Sequence, residues 1–159
     1  MPVLLGLAAG VFAGASLTLV VTDLRSHRLP DAVVLPAAVL VGALLTAEAA
    51  RIGDPGRALG VIGGAAAAFA VALTLHLARP AAFGGGDVKV AALVGAPLGW
   101  CGPEAVASGL LLALLLGGVA AAGVLLAGER RAEIAYGPWL LSGAWLRLLV
   151  GPGEGMPSG

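Results

Sequence analysis

Charge is scarce in this chain. Asp, Glu, Lys and Arg make up 11% of its 159 residues, against about 25% in an ordinary soluble domain. The nine basic and nine acidic residues cancel, so there is no basic stripe to hold a nucleic acid, and that class of partner is excluded. Aromatic residues are 4% of the chain, too few for thick interfacial belts. The single cysteine, Cys101, excludes an intrachain disulfide and a cysteine-rich zinc site, and reads as a small buried residue near a helix end. His27 and His76, without clustered carboxylates, do not make a metal site. The N-terminal apolar run lacks the basic segment of a secretory signal and reads as a retained helix.

What is present is apolar. The chain is 59% hydrophobic, with a mean hydropathy of +1.01. It has too few polar groups to cover its surface in water, so a bilayer is the solvent that fits. Its 26 glycines would each cost a soluble helix roughly 1 kcal/mol. Between membrane helices small residues instead allow close approach.

A spanning helix needs about 20 apolar residues. Segments of that kind are expected at Val3–Thr22, Ala32–Ala50, Ala58–Ala78 and Glu104–Ala127. Shorter ones are expected at Val88–Leu98 and Pro138–Val150. The prediction is an all-α, polytopic transmembrane bundle of about six helices. Residues 1–150 would form one membrane-embedded unit, and the Gly/Pro-rich tail, 151–159, would be disordered. The loops after segments one, three and five carry Arg25, Arg28, Arg79, Lys89, Arg130 and Arg131; those after two and four carry Arg51 and Arg57. The positive-inside rule then places the first set in the cytoplasm and both termini outside.

Ionisable groups in the membrane zone are costly and are functional candidates. Asp23 ends the first apolar run; Asp87 follows Gly84-Gly85-Gly86 and opens the fourth. The charge rule sets both at one depth, on the cytoplasmic side, as an aspartyl dyad requires. Two carboxylates about 3 Å apart share one proton. One takes a proton from water while the other donates to a scissile carbonyl, and no metal or cofactor is needed. The pair titrates as a unit, so neither aspartate is given a fixed role. The three glycines are expected to adopt backbone angles closed to other residues and to admit a substrate strand near Asp87.

Three elements now carry a resemblance. Gly84-Gly85-Gly86-Asp87-Val88-Lys89 is similar to the G-x-G-D-x-K motif of the type IV prepilin and preflagellin peptidases. Asp23, then Arg25 and Arg28, then Leu29-Pro30-Asp31, resembles the family's aspartate, basic stretch and I-P-N/D element. Tyr136-Gly137-Pro138-Trp139-Leu140-Leu141-Ser142-Gly143 resembles its last-helix run, with Ala135 where Pro is frequent. The resemblance implies a membrane-embedded aspartic endopeptidase in the cell inner membrane, facing the cytoplasm. It would cut the basic leader from type IV pilin-like precursors, usually after a glycine. Asp23 and Asp87 carry over as catalytic. Gly84, Gly85, Gly86, Lys89, Arg28, Asp31, Gly137 and Pro138 are the supporting or substrate-binding set. The larger bacterial members carry a cysteine-rich segment and methylate the new N-terminus; with one cysteine, peptidase activity without methyl transfer is expected.

Plainer roles stand beside these. Asp23 and Asp87 are each able to serve as helix-end residues, and Asp31 is expected to cap the second helix. Arg25, Arg28 and Lys89 read as topology signals that meet lipid head groups. Glu129 and Glu133 read as a solvated loop, His27 as solvated, and His76, near the cytoplasmic end of the third helix, as a packed polar residue or else a neighbour of the site. Tyr136 and Trp139 read as interface anchors, with Gly137-Pro138 starting the sixth helix; lining of the substrate groove is the second reading. A non-enzymatic transporter or pilus assembly factor is the alternative, but a transporter would carry buried charge near the midplane. Membrane peptidases of the wider G-x-G-D class pair that motif with Tyr-Asp, whereas here Asp23 follows Thr22.

Overall fold

The structure, a computed structural model, describes residues 3–26, 30–79, 83–127 and 136–151, with only the backbone of Ser26. The positions of His27, Arg28, Leu29, Glu129, Arg130, Arg131, Glu133 and Ala135 lie outside the described residues, as does the tail from 152. Six helices follow in order: α1 (Val3–Ser26), α2 (Asp31–Ile52), α3 (Pro55–Ala78), α4 (Gly85–Cys101), α5 (Pro103–Leu126) and α6 (Gly137–Val150). The described residues contain no strand. Helices α1, α2, α3 and α5 are long and apolar enough to cross a membrane. Their outward faces carry exposed Leu17, Val39, Leu59 and Val119, as expected of a membrane protein.

The helix ends follow local chemistry. Asp54 accepts the Arg57 amide at 3.0 Å and caps α3, with Pro55 in the first turn. Gly53 (φ 71) ends α2 and Gly102 (φ 114) ends α4, both in the left-handed region that glycine tolerates. Asp31 is not a cap. Pro30 takes that place, its carbonyl accepting the amides of Val33 and Val34 at 2.9 and 3.1 Å. The hydroxyls of Ser16, Thr18 and Thr22 turn back onto carbonyls four residues earlier, which satisfies them inside an apolar bundle.

The fourth segment departs most from expectation. It runs to 17 residues rather than 11, and ten of them are buried, from Asp87 and Val88 to Leu98 and Gly99. The other helices explain why. Helix α4 packs against α2, α3, α5 and α6, so it is the central strut and is apolar on all sides. Its closest neighbour is α3. Gly60 and Gly64 face Gly95 and Gly99, and a Cβ on any of the four would run into backbone of the opposite helix. This is the small-residue approach that membrane helices use. Gly143 of α6 meets the backbone of Gly109 and Ala113 in the same way.

Candidate functional site

Three acidic residues are buried among the described residues: Asp23, Glu48 and Asp87. Glu48 is neutralised, with Arg51 one turn on and the two side chains 2.6 Å apart. That leaves Asp23 in the last turn of α1, 4% exposed, and Asp87 in the first turn of α4, 6% exposed. Their carboxylates are near enough to act on one another electrostatically. The sequence set both at one depth, and the bundle brings both to one end.

Asp87 is held by helix starts. Its Oδ2 accepts the Gly84 amide at 3.0 Å, and its own amide donates to the Gly84 carbonyl at 3.1 Å. The carboxylate thus closes the N-terminus of α4. The Gly137 amide, at the first position of α6, acts on the same carboxylate. Pro138 has no amide to offer, and those of Trp139 and Leu140 are spent on the Tyr136 carbonyl. Two helix N-termini therefore direct N–H groups at one side chain, which offsets part of the cost that burial places on its charge. This gives Gly137 a physical role.

The glycine turn differs from its reading in sequence. None of Gly84, Gly85 and Gly86 has positive φ; Gly84 is extended (φ −71, ψ 152), and the other two are already helical. Both backbone groups of Gly84 are engaged with Asp87, whereas the N–H groups of Gly85 and Gly86 lie in the first turn of α4, where a helix has no internal acceptor for them. What the glycines give is space. A Cβ on Gly84 would sit 3.2 Å from Asp87 Oδ2, and one on Gly85 would lie 4.0 Å from the His76 ring.

His76 is the residue the sequence undervalued. Of the two roles open to it, packed polar residue or neighbour of the site, the structure favours the second, since its half-buried ring sits beside the glycine turn. Nδ1 lies 2.7 Å from the Phe83 carbonyl; a carbonyl only accepts, so Nδ1–H donates. The ring also acts electrostatically on Asp87. Phe83 stacks on Tyr136 with centroids 5.0 Å apart, and Tyr136 fills the hollow left by Gly117 of α5. Burial, and then the Asp87 carboxylate, push the Tyr136 phenol above its ordinary value. Tyr136 is thus a wall of the site as well as the cap of α6. Only the contact partners carry this information; nothing in the local sequence around His76 does.

Lys89 lies two residues past Asp87 and turns away from it. Its Nζ meets Asp31 Oδ2 of α2 at 2.6 Å. The two predicted supporting residues therefore serve each other, pinning the first turn of α4 to the first turn of α2. Arg28, the other cationic candidate, lies outside the described residues.

Comparison with known proteins gives one consistent result. A family model described as "Type IV leader peptidase family" matches residues 10–126. The chain is 34% identical over 134 residues to the prepilin leader peptidase/N-methyltransferase of Escherichia coli (strain K12). The match covers 83% of this chain and 58% of that protein's length. No solved structure matches the chain significantly.

Proposed function

Because the chain belongs to the type IV leader peptidase family, we propose that it is an aspartic endopeptidase of type IV pilin-like precursors, working through Asp23 and Asp87. The observation that carries the reading is the burial of these two carboxylates at one end of the bundle, in electrostatic contact, with helix amides aimed at Asp87. At close range such a pair holds one proton between them. The ionised partner removes a proton from water, whose oxygen attacks the carbonyl carbon of the scissile peptide. The protonated partner gives its proton to the carbonyl oxygen. Collapse of the tetrahedral intermediate breaks the C–N bond, and a proton passes to the leaving amine. The released products are the leader, with a new carboxyl end, and a pilin-like protein whose new N-terminus begins its apolar helix. Neither a metal nor a covalent intermediate enters.

The reading further holds that residues 1–150 form one peptidase unit in the inner membrane, with the dyad at the cytoplasmic face and both termini outside. The excess of Arg and Lys in the loops on the dyad's side supports this. One experiment tests activity and sidedness together. A precursor with a basic leader ending in glycine is added to sealed membrane vesicles carrying the protein. Inside-out vesicles are expected to shorten it, and right-side-out vesicles to leave it whole. Cutting by right-side-out vesicles alone defeats the topology, and no cutting by solubilised protein defeats the activity.

His76 acts here by holding the turn that presents Asp87. His76→Ala is expected to lower kcat about 10–10²-fold through misplacement of that carboxylate, with KM little changed. His76→Asn, whose amide N–H can still reach the Phe83 carbonyl, should recover part of the loss. Equal rates for His76→Ala and the parent would remove this role.

A further inference from the structure

At the end of the bundle away from the aspartates lies a cavity of about 310 Å³. Ala8, Ala9 and Phe12 of α1, Pro97 and Trp100 of α4 and Leu148 of α6 are among its walls. Along α1 and α4 it is on the order of 20 Å from Asp23 and Asp87, so it is no part of the dyad. It exists because α1 packs on α2 and more lightly on α6, and makes no comparable pairing with α4. Its walls are apolar. Water needs two to four polar partners to settle in such a space, and these walls do not offer them. A flexible hydrocarbon chain fits.

The rim adds charge. Arg57 lies over the Trp100 ring, 5.0 Å from its centroid. Arg147 turns to the other side of α6, where its guanidinium bonds to the Ser108 hydroxyl at 2.9 Å and to the Gly151 carbonyl. Asp54 engages one side of Arg57 at 3.1 Å, and the Arg57 side chain remains 49% exposed. An apolar slot with a half-exposed cation at its mouth is complementary to one molecule of the surrounding solvent. We infer that the cavity between α1, α4 and α6 binds an anionic phospholipid, one acyl chain filling the slot and the phosphate resting on Arg57.

The test uses the full chain in detergent and native mass spectrometry, with phosphatidylglycerol and phosphatidylcholine of identical acyl chains as probes. One phosphatidylglycerol per chain is expected to be retained, about twofold to fivefold above phosphatidylcholine, the range one half-exposed ionic contact gives. Arg57→Gln should erase the preference while leaving lipid bound. Ala9→Phe, at an exposed position that admits the ring, should abolish retention of both lipids. Equal retention of the two lipids by the parent protein overturns the proposal, and so does an unchanged preference in Arg57→Gln. It also fails if Ala9→Phe retains lipid as the parent does. Glycerol phosphate bound as well as the whole lipid overturns it too, as does a second copy of the chain seated there in place of lipid.

Discussion

Asp87→Asn is expected to give a folded protein that cuts precursor at least about 10³-fold more slowly than the parent, and Asp23→Asn to do the same. Asparagine matches aspartate in shape and keeps an oxygen to accept the Gly84 amide, now 3.0 Å from Oδ2. It cannot remove a proton from water or supply one to a carbonyl oxygen. General acid–base assistance contributes about 10²–10⁴-fold, and both halves of it pass through this pair. A loss of 10³ corresponds to about 4 kcal/mol of transition-state stabilisation. Because the two act as a unit, the double variant should be little slower than either single one. The measurement is the rate of leader removal at saturating enzyme, alongside circular dichroism to verify the helices. Near-parental cutting by either variant would dismiss the dyad while leaving family membership intact. Multiplicative losses in the double variant would instead mean that the residues act independently.

Replacing Gly99 should have the largest effect on the fold. A Cβ there would enter the space of the Gly60 carbonyl, and its next contact would be with Gly64 backbone. Backbone cannot swing aside as a long side chain does, so α3 and α4 must separate. Overpacking a tight interior costs about 1–3 kcal/mol and occasionally more. Gly99→Ala is expected at the upper end of that range, and Gly99→Leu is expected to prevent accumulation of folded protein. The control lies in the same helix pair. Gly63 adjoins Gly64 in sequence, but a Cβ on it meets nothing within 4 Å. Gly63→Ala should therefore be neutral, or stabilising by about 0.5–1 kcal/mol from the restricted unfolded chain. Thermal aggregation in detergent, followed by size-exclusion chromatography, separates the two outcomes. Equal midpoints for Gly99→Ala and Gly63→Ala would mean that the close approach of α3 and α4 is not a source of stability. Since α4 also carries Asp87, partial separation of the pair should reduce cutting as well.

The sequence by itself determined that the chain carries helices long and apolar enough to cross a bilayer, that it is a bundle of about six helices, and which two carboxylates stand apart from the rest. Each follows from composition and run length, because apolar solvent tolerates few charges and fixes how long a helix must be. The motif around Asp87 and the one beginning at Tyr136 were legible as well. Only the tertiary structure decided that α4 is the central helix, that Gly137 turns its amide toward Asp87, and that Lys89 answers to Asp31. The placement of His76 beside the glycine turn, and the slot beneath Trp100, were likewise decided there. The reason is the solvent. In water an apolar stripe tells which face of a helix turns inward, because the opposite face must be polar. Between lipid tails both faces are apolar, so a buried helix such as α4 and a lipid-facing one such as α5 are written in the same residues. Which neighbour each meets is settled by shape, where Gly60, Gly64, Gly95 and Gly99 let two backbones touch, and shape is a property of the assembled bundle.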